Sequence, residues 1–193
     1  MRPGNALSLL LAACVPLLSL ASPTAVPAGA GSQPNHRLLP PVDPRIVPLC
    51  SQTHTPDICV SAARSYAHEY PVIDATNLFN ILVRALRDRI QIDTAKTLAM
   101  TKTQKKLDKM VRAGIDSCLR SYEDALDYTG EGIEAFITRD LGTFETRFSM
   151  VIGVFSGCND EFMDIPNPLE AQNNRLMNMA GNCIRIGKMT FKE

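Results

Sequence analysis

The 193 residues carry 20 Lys and Arg against 20 Asp and Glu, 45% hydrophobic side chains and no Trp. A chain of this length suits one domain with a leader, and its charge balance excludes a strong bulk attraction to nucleic acid or to an anionic membrane. Any partner must be recognised through shape and local chemistry.

Arg2 is the only charge before Arg37, and an apolar stretch runs from Ala6 to Leu20. That stretch contains Pro16 and falls short of the ~20 residues a membrane-spanning helix needs. Residues 1–21 therefore read as a secretory signal cut after Ser19-Leu20-Ala21, with a second small-residue site at Ala28-Gly29-Ala30. Residues 22–48 hold seven of the thirteen prolines and read as a disordered arm. The expected product is an exported protein with no membrane span after signal removal.

A small unit is expected over 49–71, and Thr55-Pro56-Asp57 marks a break inside it, with Thr55 as cap and Pro56 as first helical residue. Between Val72 and Ile165 the chain has no proline, which favours long helices. Ala75, Leu78, Leu82, Ala85 or Leu86, and Ile92 form a first, irregular apolar stripe. Leu107, Met110 or Val111, Gly114, Cys118, Tyr122, Ala125 and Thr129 form a second; Gly130 and Gly132 either end this helix or are tolerated within it, and Ile133, Phe136 and Ile137 favour a continuous or kinked helix to about Ile137. A turn is expected over Thr138–Gly142. Phe144, Phe148, Val151, Phe155, Cys158 and Phe162 make the third stripe. Asn167 as cap, Pro168 at the first helical position and Glu170 closing a capping box open the fourth, which runs Leu169, Asn173, Leu176, Ala180, Cys183, Gly187. The fold class is all-α: an N-terminal helical hairpin, then an antiparallel up-and-down four-helix bundle over 72–190.

Outside the leader lie Cys50, Cys59, Cys118, Cys158 and Cys183. An oxidising compartment predicts two bridges and one leftover thiol. On one straight helix Cys50 and Cys59 would stand ~13.5 Å apart, too far for a disulfide, so their pairing requires the break at Pro56. Cys118 and Cys158 are equidistant from residue 138, so antiparallel helices through the expected turn bring them level. Cys183 is left free, on an inward stripe.

No catalytic constellation is present in the sequence. The histidines are His36, His54 and His68, and His68-Glu69 has no second histidine four residues on. Ser156 lacks the glycine spacing of a nucleophile elbow. No phosphate-binding glycine loop, metal-spaced cysteine set or Asn-x-Ser/Thr acceptor occurs. Glu123, Asp124 and Asp127 read as a solvated helix flank. Lys102, Lys105, Lys106, Lys109 and Arg112 read as a basic strip at helical spacing, either solvated or a docking edge for an acidic surface or for pectin. No cofactor is expected.

Several segments resemble the plant invertase/pectin methylesterase inhibitor family. Cys50-Ser51-Gln52-Thr53-His54-Thr55-Pro56-Asp57-Ile58-Cys59-Val60 is similar to its opening pattern, and Cys118-Leu119-Arg120-Ser121-Tyr122-Glu123-Asp124-Ala125 to its Cys-Leu-x-x-Tyr-x-Asp-Ala signature. Cys158-Asn159-Asp160-Glu161-Phe162 resembles the fourth-cysteine segment, and Gly181-Asn182-Cys183-Ile184 stands where members show Ser-Asn-Ala-Leu. The resemblance, over Leu49 to Lys188, implies a monomeric extracellular inhibitor of the apoplast or vacuole. Such proteins occupy a target's active site rather than catalyse. Thr138 to Phe144 lacks the Pro-Lys-Phe of many invertase inhibitors, and Ser149 to Gly153 lacks the Ser-Ala-Ala-Leu-Thr of the pectin type. Three readings stand, in this order: pectin methylesterase inhibitor, inhibitor of cell-wall or vacuolar invertase, and non-inhibitory extracellular helical interaction protein. The expected docking surface is the turn, with Arg139, Asp140 and Thr143, followed by the strip with Lys105, Lys109 and Arg112.

Overall fold

The computed structural model describes residues 41–103 and 107–191. All regular elements among them are helical: α1 (Val47–Cys50), α2 (Pro56–Ala63), a 3-10 turn (Ala67–Glu69), α3 (Ala75–Thr103), α4 (Lys109–Ile137), α5 (Leu141–Asp160) and α6 (Glu170–Thr190). The leader, most of the arm, and Lys105 with Lys106 lie outside the described residues.

α3 to α6 form the bundle. Each packs on its neighbours in chain order, α6 closes against α3, and α1 and α2 fold over the α3–α6 side. The predicted stripes become its interior. Phe144, Phe148, Val151, Phe155 and Cys158 of α5 are buried, as are Leu176, Ala180, Cys183 and Gly187 of α6. One end of the core is aromatic: the Phe79 ring stacks on Phe136 at 4.1 Å and meets Phe144 and Phe148 edge-on. Two of the small residues on the stripes are there because rings fill their place. A Cβ on Gly132 would stand 2.7 Å from the Phe148 ring, and one on Gly187 would collide with Phe144. α4 runs unbroken through Gly130 and Gly132.

The structure pairs Cys50 with Cys59 and Cys118 with Cys158, with Cα separations of 5.5 and 5.0 Å. The first bridge ties α1 to α2 across the break at Pro56, and the second ties α4 to α5. In the chain-entropy account, closing loops of these sizes stabilises by roughly 2.5 and 4 kcal/mol. Cys183 is free and buried, and burial pushes its thiol far above the usual range. It behaves as a small core hydrophobe, without the thiolate that reactivity needs.

The other half of the core holds a polar layer. The Tyr122 hydroxyl donates to Asn173 Oδ1 at 2.6 Å and accepts from Gln172 Nε2 at 2.6 Å; Gln172 Nε2 also reaches Thr97 Oγ1 at 3.0 Å. Asn173 Nδ2 donates to Asn159 Oδ1 at 2.8 Å and to Cys158 Sγ at 3.0 Å. This chain of bonds joins all four bundle helices and touches the α4–α5 bridge.

Several expectations need correction. Order begins before residue 49: Ile46 is fully buried, Pro48 sits in the first turn of α1, and Arg45 Nη1 donates to Pro71 O at 2.6 Å. One apolar side chain between two helix-compatible prolines anchors what composition alone marks as arm. Ile92 is half exposed, and the α3 interior runs through Ile90, Asp93 and Thr97 instead. Asp93 is buried with Arg89, one turn earlier, on its Oδ2 at 2.6 Å, while its Oδ1 has no hydrogen-bond partner. Thr55 makes no side-chain cap; its hydroxyl bonds Asn182 Oδ1 at 3.0 Å, fastening the hairpin to α6. α6 starts at Glu170, and Asn167 Oδ1 accepts from Leu169 N at 2.8 Å in the turn before it.

Candidate functional site

The α4–α5 turn is built from three residues. Thr138 N donates to Glu134 O, Arg139 N to Phe136 O and Asp140 N to Ala135 O, closing the last turn of α4. Arg139 carries φ 61°, the left-handed conformation that ordinarily selects glycine at a helix end. Asp140 then caps α5. Its Oδ1 accepts from Thr143 N at 3.0 Å, and the Thr143 amide and hydroxyl hold its carboxyl below the usual carboxylate range. Gly142 lies inside the first turn of α5 and not in the connection.

Arg139 is not a free rim charge. Its Nη2 donates to Thr190 O at 2.7 Å, satisfying a terminal carbonyl of α6, and its guanidinium lies 4.8 Å above the Phe191 ring. Phe191 in turn touches Phe136 and Phe144. The clamp locks the turn onto the end of α6. Arg139 and Asp140, singled out as contact charges, both hold the turn's shape, while Thr143 is exposed beside them.

The turn presents a shallow groove of about 320 Å³, lined by Glu131, Glu134, Thr138, Asp140, Thr143 and Arg147. Arg147 Nε pairs with Glu131 Oε2 at 2.7 Å, bracing α5 against α4. Ile137 is 71% exposed and Leu141 37% exposed on the flanks of the turn. Ile137 was expected to extend the inward stripe, but Phe136 takes the last core position and the next residue must face outward. The charge-based reading of the turn named neither of these exposed apolar side chains. No local sequence signal separates Ile137 from Phe136; the facing Phe79 ring decides.

The basic strip is not one helix face. Lys102 lies in the last turn of α3, and Lys109 and Arg112 lie in the first turn of α4, a separate helix. Arg112 Nη1 reaches Thr101 O of α3 at 3.4 Å. Lys105 lies outside the described residues. Glu123, Asp124 and Asp127 are exposed, as the solvated reading expects. Among the described residues no group of His, Cys, Asp and Glu is placed to hold a metal ion, and no helix is long and apolar enough to cross a membrane.

The model of the plant invertase/pectin methylesterase inhibitor family matches residues 45–186, from the entry into the hairpin almost to the end of α6. The chain belongs to this family. Two solved structures share the fold. A mutant form of a pectin methylesterase inhibitor from Arabidopsis aligns with a TM-score of 0.59 at 16% identity, covering 73% of this chain and 93% of that one. A pectin methylesterase inhibitor from Arabidopsis thaliana aligns with a TM-score of 0.55 at 16% identity, covering 75% and 94%. No curated protein matches the chain.

Proposed function

We propose that the protein is an exported inhibitor of a pectin methylesterase that acts by stoichiometric occlusion of the target's active-site cleft. Membership of the inhibitor family supports the class, and the two Arabidopsis neighbours, both pectin methylesterase inhibitors, support the choice of target. The observation that carries the mechanism is the α4–α5 turn, where exposed Ile137 and Leu141 flank a groove held by the Arg139 clamp, the Asp140 cap and the Glu131–Arg147 pair. A surface already ordered before docking loses less conformational entropy on binding. A standard interface needs ~800 Å² on this side, so the contact must spread from the turn along α4 and α5. The protein works as a monomer, in the apoplast or the vacuole, without cofactor.

The test is titration of the purified domain against a plant pectin methylesterase and, in parallel, against a plant acid invertase. Saturating inhibition of the esterase at one-to-one stoichiometry is expected, with the invertase unaffected. Ile137→Asp should weaken inhibition by about tenfold or more, because an isolated charge on an apolar contact costs upwards of 1.4 kcal/mol. Inhibition of the invertase alone would reassign the target, and inhibition of neither would leave a non-inhibitory extracellular bundle.

A further inference from the structure

Charge is divided between the helices. α3 carries Arg84, Arg87, Arg89, Lys96 and Lys102 against Asp88 and Asp93, whereas α4 carries six acidic side chains against Lys109, Arg112 and Arg120. On α3 the exposed side chains Asn80, Arg84, Arg87 and Gln91 recur at helical spacing and form one row about 16 Å long. With Val83, Asp88 and Ile133 they line a cavity of about 290 Å³ between α3 and α4. No acidic residue of α4 lines it.

Of the two acids nearest the row, Glu69 is paired with Arg84, and Asp88 keeps its charge while accepting a bond from a neutral hydroxyl. Asp88 Oδ2 accepts the Tyr66 hydroxyl at 2.6 Å, and Glu69 Oε2 takes Arg84 Nη1 at 2.5 Å. The Tyr66 ring lies 4.5 Å under the Arg84 guanidinium and fixes its plane. The side chains of Arg87, Asn80 and Gln91 make no hydrogen bond or ion pair among the described residues. The row thus offers one unpaired guanidinium, one pre-oriented guanidinium and two carboxamides, above an apolar floor of Val83 and Ile133.

We infer that this row binds a polyuronate chain, its guanidiniums taking sugar carboxylates and its carboxamides taking hydroxyls. The unpaired Arg87 guanidinium favours an anionic occupant, since planar guanidinium matches carboxylate. The make-up of the row favours a sugar polymer over a protein. It displays no large exposed apolar side chain, which the centre of a protein interface requires, and its donors follow a line as an extended chain would. The choice of polymer rests on the esterase reading: hydrolysis of methyl esters on a polyuronate leaves carboxylates, so the occupant would accumulate where the target works. The row lies on α3, diagonally across the core from α5, and would hold the inhibitor to its surroundings without using the turn.

The experiment is retention of the purified protein on immobilised de-esterified polygalacturonate at low salt, with fully methyl-esterified polymer as control. Retention on the de-esterified polymer only, fading as salt screens the charges, is expected. Arg87→Gln, which removes no internal bond, should weaken it by about two- to fivefold, the size of one exposed ion pair. Arg84→Gln/Arg87→Gln should weaken it further and leave esterase inhibition unchanged. Lys102→Gln/Lys109→Gln removes the same charge elsewhere and should leave retention near wild type. Absence of wild-type retention overturns the inference, as does equal loss in the lysine pair, which would mean bulk charge. Loss of inhibition in step with retention also overturns it, by placing the row in a protein contact. Retention by a protein that inhibits no esterase would refute the proposed function and leave this site standing.

Discussion

The Tyr122 hydroxyl is the test of whether the polar layer holds the bundle in register. Tyr122→Phe removes one oxygen and keeps the ring, whose edge-on contact with Phe155 at 5.7 Å needs no hydroxyl. Gln172 Nε2 retains Thr97 Oγ1 as acceptor, but Asn173 Oδ1 loses its donor at a fully buried position. A buried acceptor left bare costs about 1–3 kcal/mol. Taking ~2 kcal/mol, and 2–4 °C per kcal/mol for a domain of this size, the melting temperature should fall by about 4–8 °C. Scanning calorimetry on the oxidised protein, with both bridges intact, measures it. The coupling is the sharper readout. Asn173→Ala alone also breaks the contact, so the double variant should fall short of additivity by about 1 kcal/mol or more. A Tyr122→Phe protein melting within ~1 °C of wild type, or fully additive variants, would refute the layer's contribution.

Gly187→Ala should destabilise by about 1–3 kcal/mol in thermal melts, because the added methyl meets the Phe144 ring, whereas Gly130→Ala, with nothing within 4 Å, should stabilise by about 0.5–1 kcal/mol. Arg139→Ala should lower the melting temperature and raise amide exchange at the end of α6, since it frees Thr190 O and uncovers Phe191; unchanged exchange there would show that the clamp does not form in solution. Tyr66 gives a pH dependence. Burial, then the bond to Asp88, pushes its phenol up to about 12, so the folded state keeps a proton that the unfolded chain loses near pH 10. The stabilisation is complete below pH 10 and is lost as pH rises from 10 through 12, so melting temperature should drop across that window and drop less in Tyr66→Phe.

The sequence by itself determined the helical class, the faces of α5 and α6 and the break at Pro56. These are properties of spacing: a residue every three or four positions must share a helix face, and proline cannot continue a helix from within. It also carried the family resemblance, through motifs such as Cys-Leu-x-x-Tyr-x-Asp-Ala. Tertiary structure decided what spacing leaves open. Ile137 and Phe136 are equally apolar, and only the facing ring of Phe79 selects which is buried. Asp93 and Thr97 carry no local signal for burial, yet both are interior, with Arg89 on Asp93 Oδ2 and Gln172 on Thr97 Oγ1. Arg139 is a candidate contact charge by sequence, and only the structure shows that it also clamps the turn to Thr190 and Phe191. A local pattern reports which side of a helix is apolar; the role of a polar or terminal side chain depends on what another helix places opposite it.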